Sequence, residues 1–409
     1  MRTKLLVLAA TASFAGCGVH GQTPLPQSAL PMVGQRGTQA APAAQYDVIA
    51  LPTLGGAVGG GNSINNRAWV SGVSTLAGSS SVHAALWRHG AVTDLGTLGG
   101  ANSAVEWPVK NDRGIIAGIS ETTTVDPNNE SWSCEAFIPP DGHTCVGFAW
   151  RNGQMVALAT LGGNNAYAAG VNERGQIAGW AENATHDPTC LAPSHVLQFE
   201  AVIWEPDAQH HVHALQPFGT DPDGAATAIN DNGQVVGITG TCDQQVGRFS
   251  ARHAVMWEHG VAHSLGSLGG IAWNTPTAIN AAGQVVGFSD LRGDRNGNPK
   301  FHAFYWTRRG GMVDIGVLPG DRYSEALGIN DLGEVVGVSY SAGFASSRAF
   351  VWSSGRKLTD LNKLTGPSST IKLLYANDVN DNGEITGGAC VVSGSTCSST
   401  PAYLALPNR

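Results

Sequence analysis

The chain has 409 residues, of which 42% are hydrophobic and only 13% are charged, and it contains 54 glycines. This composition suits short strands and tight turns, and the length is ample for a buried core. The formal charge of −8, without a basic stripe to neutralise phosphates, argues against a nucleic-acid-binding protein. No helix-turn-helix, phosphate loop or dinucleotide-binding motif is present in the sequence.

Residues 1–17 have the pattern of an export signal. Arg2 and Lys4 precede an apolar run, residues 5–15, that is too short to span a bilayer. The following Phe-Ala-Gly-Cys resembles a bacterial lipobox, in which Cys17 would be lipidated. Because Phe is less usual than Leu at its first place, cleavage nearby without lipidation stays open. Both routes predict an exported protein, held in the cell envelope by a lipid anchor or secreted, with no other membrane contact.

Residues 18–45 are rich in Gly, Pro, Gln and Ala and have no periodicity, which predicts a flexible tether. The rest of the chain, 46–409, is organised by one repeated stretch, seen at Ile229–Gly237. Asn230 and Gly233 stand at the two ends of a type I turn, and β-branched residues follow. The seven copies, spaced 46 to 61 residues apart, begin at Asn65, Asn111, Asn172, Asn230, Asn280, Asn330 and Asn380.

Each copy carries further landmarks at matching places. A Gly stands seven residues after the Asn, six units have a strand that ends in Trp, and a strand of the Asp94–Leu98 type follows. Four short strands per unit at this period predict an all-β, seven-bladed β-propeller of four-stranded antiparallel blades. The last unit has only three strands, so the strand 46–56 is expected to complete the seventh blade and remove two exposed edges.

The landmarks resemble the HAF-repeat family of predicted extracellular bacterial proteins. They are His-Ala-x-x-Trp, as in His83–Trp87, the Asp94–Gly100 sequence Asp-Leu-Gly-Thr-Leu-Gly-Gly, and Ile-Asn-x-x-Gly-x-Val-Val-Gly. The resemblance covers nearly all of 46–409, although four units replace the His with Val146, Glu200, Arg348 or Pro401. The resemblance implies export and a repeat fold, and it brings no catalytic residues.

Six cysteines follow Cys17, and all are predicted in loops between the second and third strands of a blade. An even number of cysteines in an exported chain favours disulfides. The pairs expected are Cys134–Cys145 and Cys390–Cys397 within blades two and seven, and Cys190–Cys242 between blades three and four. The alternative is six unpaired or metal-bound thiols, although no Cys-x-x-Cys spacing supports zinc.

Most repeated residues have a structural interpretation. The Asn of each unit is a turn former, the six Trp residues are expected to pack between blades, and His83, His253 and His302 lie on three different blades. A group of three histidines, His210, His211 and His213, is expected in a solvated turn on the opposite face from the cysteine loops.

Five aromatic residues lie between the glycine pair and the first strand of their blades, and they are expected to ring the mouth of the central channel: Trp107, Tyr167, Trp273, Tyr323 and Tyr375. With the carboxylates Glu106, Asp321 and Glu325, such a rim suits sugar or peptide stacking. The alternative is that the rings only cap the blade tops. Glu106 and Glu325 are also candidates for an acid and a base of the two-carboxylate kind.

The run from Asp290 to Asn298 is a candidate calcium loop, the single cofactor suggested by the sequence. Its ligands would be Asp290, Asp294, Asn296 and Asn298, alternating with Gly. The run lacks the terminal Glu of an EF-hand, and Asn-Gly is also ordinary turn chemistry.

Unequal loops break the symmetry of the repeat. From the second-strand Gly to the third-strand Trp, successive units have 15, 32, 25, 20, 19 and 15 residues. Because function on repeat scaffolds concentrates in loops, the face over blades two to four is the expected binding face. The first hypothesis is a monomeric, non-enzymatic binding module for a glycan, peptide or protein partner. The alternatives are an exported polysaccharide hydrolase or lyase, and a structural envelope or matrix protein.

Overall fold

Antiparallel strands account for almost all regular structure in the described residues. The computed structural model describes residues 45–78, 80–190, 192, 195–242, 251–271, 273–293, 300–366, 370–394 and 396–408. The strands form seven small sheets whose order follows the chain, and the sheets stand in a ring as a seven-bladed β-propeller. The predicted fold class is therefore confirmed. The export signal, Cys17 and the tether up to residue 44 lie outside the described residues.

The first strand, β1 (Tyr46–Ala50), precedes six blades of four consecutive strands each. Blade one is β2 (Gly55–Ile64), β3 (Val70–Leu76), β4 (Val82–Arg88) and β5 (Ala91–Asp94). Blade two is β6 (Gly99–Ala104), β7 (Ile116–Val125), β8 (His143–Arg151) and β9 (Gln154–Ala157). Blade three is β10 (Gly162–Val171), β11 (Ile177–His186), β12 (Leu197–Trp204) and β13 (Val212–Ala214). Blade four is β14 (Asp223–Ile229), β15 (Val235–Gly240), β16 (His253–Glu258) and β17 (Val261–Gly266).

Blade five is β18 (Thr275–Ile279), β19 (Val285–Asp290), β20 (Phe301–Thr307) and β21 (Gly311–Gly316). Blade six is β22 (Tyr323–Ile329), β23 (Glu334–Tyr340), β24 (Ser347–Ser353) and β25 (Thr359–Asp360). Blade seven contains β26 (Ile371–Val379), β27 (Ile385–Ser393), a short extra strand β28 (Thr396–Ser399) and β29 (Ala402–Pro407). Helix α1 (Trp132–Glu135) and the 3-10 turns Ala342–Phe344 and Leu361–Lys363 lie in connections.

Strand β1 closes the ring by pairing with β29, from Tyr46 opposite Pro407 to Ala50 opposite Tyr403. This confirms that the fourth strand of blade seven comes from the other end of the domain. The predicted range 46–56 was too long, because β1 ends at Ala50 and Gly55 already begins blade one. Pro52 lies in the break, where its missing N–H removes a ladder hydrogen bond.

The hydrophobic core lies between neighbouring blades. Val236 and Met256 of blade four, for example, form one buried cluster with Ile279 and Phe304 of blade five. The third-strand Trp residues contribute in a second way, because their indole N–H groups bond the backbone that enters the same blade. The acceptors for Trp87, Trp204 and Trp257 are the carbonyls of Pro52, Ala159 and Gln216, at 2.6, 2.9 and 2.7 Å.

The Gly seven residues after each Asn is required by a close backbone approach. A Cβ at Gly237 would lie 2.0 Å from the carbonyl oxygen of Ala225, next to a bulge between Ala226 and Ala228. The bulge draws the innermost strand over the second strand, and only Gly leaves room there.

The repeated Asn forms the predicted turn, and it also joins the blades to one another. In blade four, Gly233 N donates to Asn230 O at 3.0 Å, and Asn230 Oδ1 accepts from the backbone N of Asn232 and Gln234. Asn230 Nδ2 then donates to the carbonyl of Asn280, the turn Asn of the next blade, at 3.0 Å.

The same bond recurs at every blade boundary, including the last, where Asn380 donates to Asn65. All seven bonds are 2.8 to 3.2 Å long, and they form a closed asparagine ring around the axis. We call this side of the ring of blades the turn face. The opposite side, which carries the loops between second and third strands, is the loop face.

Replacing one member of the asparagine ring tests this arrangement. Asn230→Ala removes the bond to the next blade and the turn acceptor, so we expect the free energy of unfolding to fall by about 2–4 kcal/mol. Asn232→Ala is the matched control in the same turn, because its exposed side chain also donates to the next blade, at Ala281 O, but belongs neither to the turn acceptor nor to the ring. Denaturant unfolding should show a loss below about 1 kcal/mol for the control. Equal losses in the two variants would contradict a special role for the ring.

Candidate functional site

Disulfides stabilise the loop face, two of them over blades two to four and one in blade seven. The bonds Cys134–Cys145, Cys190–Cys242 and Cys390–Cys397 are all present, with the predicted pairing. Cys190–Cys242 joins the blade-three loop to the end of the second strand of blade four. The predicted loop placement needs a correction, because Cys145, Cys390 and Cys397 lie within strands β8, β27 and β28.

Three disulfides indicate an oxidising, extracellular type of environment. Within the part of the chain that the structure describes, no helix has the length and apolar character needed to cross a bilayer.

Three of the five predicted rim aromatics are buried, and a ligand has little access to them in this structure. Trp107, Tyr167 and Trp273 expose 6%, 1% and 5% of their surface. The blade-two loop places Phe137 flat on Tyr167, with ring centroids 4.4 Å apart, and Trp273 packs 4.6 Å from Phe301. In this structure the three rings are covered by neighbouring side chains.

The other two rings, Tyr323 and Tyr375, are half-buried. Tyr323 stacks on Phe344 with centroids 4.7 Å apart. Tyr375 lies across its own sheet, where a Cβ at Gly388 would come within 2.1 Å of the ring. The role of the five residues in ligand binding stays a prediction, and the structure does not assemble them into one exposed rim.

The two candidate catalytic carboxyls occupy equivalent places in the repeat, although Glu106 lies just after β6 and Glu325 lies within β22. Glu106 and Glu325 each stand five residues before the turn Asn, in blades two and six. Asn62 Nδ2 donates to Glu106 Oε2 at 3.2 Å, and the Tyr340 hydroxyl donates to Glu325 Oε2 at 3.1 Å. Blades one and seven separate them on the shorter arc of the ring. The structure does not bring them together as a hydrogen-bonded pair.

Burial decides the protonation of these two carboxyls. It raises the pKa of Glu106 to about 8 and the pKa of Glu325 to about 7. At neutral pH this shift favours the protonated form of Glu106, which can donate a hydrogen bond, whereas a general base would need the ionised form.

The third acidic candidate, Asp321, is held by an arginine. Arg348 lies 2.9 Å from Asp321 and 3.2 Å from Asp360. Arg348 stands where other units have the motif His, and the histidines make the same kind of pair. His83 contacts Asp94 at 2.9 Å and His302 contacts Asp314 at 2.9 Å. A fourth-strand carboxylate thus pairs with a basic side chain of the third strand, which is a structural role.

His253 and the group of three histidines on the turn face also make contacts with nearby carboxylates. His253 contacts Asp221 at 2.6 Å, because its own fourth strand has Ser264 at the place of the acidic residue. In the turn-face hairpin, His211 contacts Asp207 at 2.8 Å and is exposed.

The candidate calcium loop lies largely outside the described residues, which omit Asp294, Asn296 and Asn298. Asp290 is described and fully buried at the end of β19. Calcium binding there stays a prediction.

A cavity that sequence reasoning missed lies on the axis at the turn face. Its volume is about 110 Å³, and apolar residues that directly precede the turn Asn, such as Ile229 and Ile279, line it. Lys110 reaches into the same region and pairs with the buried Asp378 at 3.1 Å. The mouth is acidic, because the residue after the turn Asn carries a carboxylate in five units: Asp112, Glu173, Asp231, Asp331 and Asp381.

Those mouth carboxylates are already engaged in the fold. Asp381 Oδ1 accepts from Asp331 N at 2.8 Å, and Asp331 Oδ1 accepts from Ala281 N at 2.8 Å. Bonds of this kind run beside the asparagine ring from blade to blade. The sequence signal that would have found them is the acidic residue next to the repeated Asn.

Comparisons with known proteins support no assignment of function. No protein-family model matches the chain, and no curated protein matches it. Among solved structures, a fungal alcohol oxidase of the AA5 family, in complex with copper, is similar at 10% identity and a TM-score of 0.47, over 89% of this chain and 76% of that one.

A protein of unknown function from Dyadobacter fermentans is similar at 10% identity and a TM-score of 0.38, over 90% of this chain and 100% of that one. Porphyromonas gingivalis dipeptidyl peptidase 4 is similar at 11% identity and a TM-score of 0.37, over 81% of this chain and 50% of that one. At these identities and scores the likenesses carry no substrate or reaction to this chain.

Removing disulfides one at a time tests how the loop face is braced. In the chain-entropy model, a bond that closes 52 residues contributes about 4 kcal/mol and one that closes 7 contributes about 2.5 kcal/mol. The double variant Cys190→Ser/Cys242→Ser should therefore lose more stability than Cys390→Ser/Cys397→Ser, its matched control. Thermal unfolding would measure both, after mass spectrometry without reductant confirms the remaining pairs. The reverse order of losses would be inconsistent with an inter-blade brace.

The buried carboxyl of Glu325 predicts a loss of folding stability at higher pH. The folded-state pKa of Glu325 is raised, so its contribution is fully present below the ordinary value of 4.5 and is lost as the pH rises through about 7. Glu325→Gln stays neutral and keeps an acceptor for Tyr340. We expect this variant to lack a decline on the order of 3 kcal/mol that the wild type shows over that range.

Denaturant unfolding at several pH values would measure this difference. The control is Glu258→Gln, because a hydrogen bond from Arg308 lowers the pKa of Glu258, which gives the opposite sign. The idea is wrong if Glu325→Gln follows the wild-type curve throughout.

Proposed function

We propose that the protein is an exported binding module that presents its loop face, over blades two to four, to a glycan, peptide or protein partner. The resemblance of its repeats to the HAF-repeat family, and an N-terminal segment with the pattern of an export signal, support this proposal. In this proposal the molecule acts as a monomer, and it is anchored in the cell envelope through Cys17 or secreted.

The observation that carries the proposal is that two blades have much longer loops between their second and third strands than a closed ring of blades requires. Blades one and six connect their second and third strands with 15 residues from Gly to Trp, whereas blades two and three use 32 and 25. The additional chain is folded, since it contains α1 and two of the disulfides. Binding to a rigid loop surface loses less conformational entropy than binding to a mobile loop. Loops held rigid in this way are therefore suited to recognition.

The loop face also exposes apolar side chains. Val125, at the end of β7, is 67% exposed, and Ile271, between blades four and five, is 79% exposed. Exposed apolar residues beside polar loops suit contact with a partner surface or with the apolar face of a sugar ring. A single exposed residue carries little weight, and the position of both on the elaborated face is what supports the proposal.

The alternative functions have weaker support. A polysaccharide hydrolase or lyase would use Glu106 and Glu325, which lie in separate blades and are not bonded to each other. A structural envelope protein would need the closed ring and the disulfides, but it would not need loops confined to one sector of one face.

Charged substitutions on the two faces test the proposal. The full-length protein is screened on glycan and peptide arrays, and any saturable ligand is titrated against Val125→Glu, Ile271→Glu and Leu332→Glu. Leu332 is the matched control, because it is 78% exposed in a turn on the turn face. We expect the first two variants to bind about 10-fold more weakly, as for one lost contact worth about 1.4 kcal/mol, and the control to bind normally.

Three outcomes would contradict this assignment. If only Leu332→Glu weakened ligand binding, the binding site would lie on the turn face, at the axial cavity. Turnover of a bound polysaccharide that is lost in Glu106→Gln or Glu325→Gln would support the hydrolase or lyase. The absence of any saturable ligand would favour the structural role.

A further inference from the structure

Three buried side chains from separate segments meet under the loop face, between blades two and three. Glu130 lies in the blade-two loop just before α1, Glu182 lies in β11, and His195 lies two residues before β12. Their exposed fractions are 1%, 0% and 0%. One carboxylate oxygen from each Glu and one imidazole nitrogen lie within 4.8 Å of one another.

Both carboxylates are oriented by backbone donors. Glu182 Oε2 accepts from the N–H groups of Asn164 and Asn165 at 3.0 and 2.9 Å. Glu130 Oε1 accepts from Leu197 N at 2.8 Å. No described residue forms a hydrogen bond with the other oxygen of Glu130, Oε2, although this oxygen is buried. Since an unsatisfied buried oxygen is costly, a group that binds it is expected.

His195, the third member of the group, also has a ring nitrogen without a hydrogen bond among the described residues. Its Nδ1 lies 3.2 Å from Cys242 Sγ, which accepts but cannot donate while it forms the disulfide with Cys190. With the proton on Nδ1, as this contact favours, Nε2 keeps its lone pair, and none of the described residues forms a hydrogen bond with it. Trp132 fixes the imidazole by stacking on it, with centroids 3.7 Å apart.

Lone pairs on the carboxylate oxygens and the imidazole nitrogen repel one another at these separations unless a cation or a proton lies between them. Among the described residues, no Lys or Arg forms an ion pair with Glu130 or Glu182. A shared proton is the competing solution, because burial followed by the charge of Glu130 raises the pKa of Glu182 to about 8. A divalent cation would instead balance both carboxylates and bind the Nε2 lone pair as well.

The donor set discriminates between cations. One imidazole nitrogen and two carboxylate oxygens suit Zn²⁺ and related transition ions, whereas Ca²⁺ and Mg²⁺ take oxygen ligands. Bonds of about 2.0–2.2 Å in a tetrahedral site place ligand atoms about 3.3 Å apart. From separations of at most 4.8 Å, side-chain shifts of about 1.5 Å or less complete the site.

We propose that Glu130, Glu182 and His195 bind one divalent transition-metal ion of the zinc class, with the fourth position open to water or a ligand. The ion holds the long blade-two loop onto blade three. It therefore stiffens the loop face, and it does so independently of which partner that face binds.

Blade two contains a matched control position. Glu121 stands three residues after Gly118, as Glu182 stands three after Gly179, and it likewise accepts from the glycine-pair loop, at Ala101 N. Its neighbours are Cys134 and Cys145, which are joined in a disulfide, and within the described ranges no imidazole belongs to this group.

Metal titration of the full-length protein tests the proposal. After treatment with a chelator, the wild type should bind one equivalent of Zn²⁺ by calorimetry and melt at a higher temperature with the metal. Co²⁺ should give a visible absorption band on the same site. Glu182→Gln and His195→Gln should weaken Zn²⁺ binding by about 100-fold or more, and Glu121→Gln should bind as the wild type does.

Wild-type measurements keep the test decisive even if a variant fails to fold. If chelator-treated wild type binds none of Zn²⁺, Co²⁺ and Mn²⁺ saturably and its melting temperature is unchanged, the three groups share protons and the proposal is wrong. It is also wrong if Glu121→Gln weakens Zn²⁺ binding as much as Glu182→Gln. Neither result bears on ligand binding by the exposed loop face, so the two proposals fail separately.

Discussion

The closure of the ring is the constraint on which the rest of this structure depends. Each blade buries its apolar surface only against its neighbours, so a gap at any boundary would expose two hydrophobic faces. Two devices prevent such a gap. Strand β1 pairs with β29 at the outer side of blade seven, and the asparagine ring joins all seven blades at the axis. The first acts at one boundary and the second acts at every boundary.

The asparagine ring explains why the turn residue is Asn and not another turn former. Asp and Ser also accept hydrogen bonds in such turns, but they lack the amide N–H₂ that donates to the next blade. Asn supplies both functions from one side chain: its Oδ1 completes the turn and its Nδ2 reaches the neighbour. The turn face is thereby tied to a repeated geometry. The loop face carries no such tie, so insertions accumulate there without opening the ring.

This division decides what could be predicted from the sequence. Features that repeat in register, such as the turns, the third-strand Trp and the number of blades, depend on local chemistry and were predicted. The disulfide pairing was also predictable, because two pairs are close in the sequence and leave Cys190 and Cys242 to each other. The burial of Tyr167 was not, since it depends on where Phe137 of a non-repeating loop comes to lie. The asparagine ring was missed because a turn explains Asn locally, and the bond between blades becomes visible only when the ring is assembled.

The difference between the repeated turn face and the non-repeating loop face also explains the polar residues buried under the loop face. Where the blades repeat, buried polar groups find repeated partners, as Asn230 does with Asn280. Where the long blade-two loop covers blade three, Glu130 and His195 meet Glu182 without a repeated partner to satisfy them. An added loop has to be stabilised by interactions that the repeat does not provide. In this molecule these are a local disulfide, stacked aromatic rings and a cluster of nitrogen and oxygen donors. Of the three, only the donor cluster requires a group from outside the chain, the proposed metal ion.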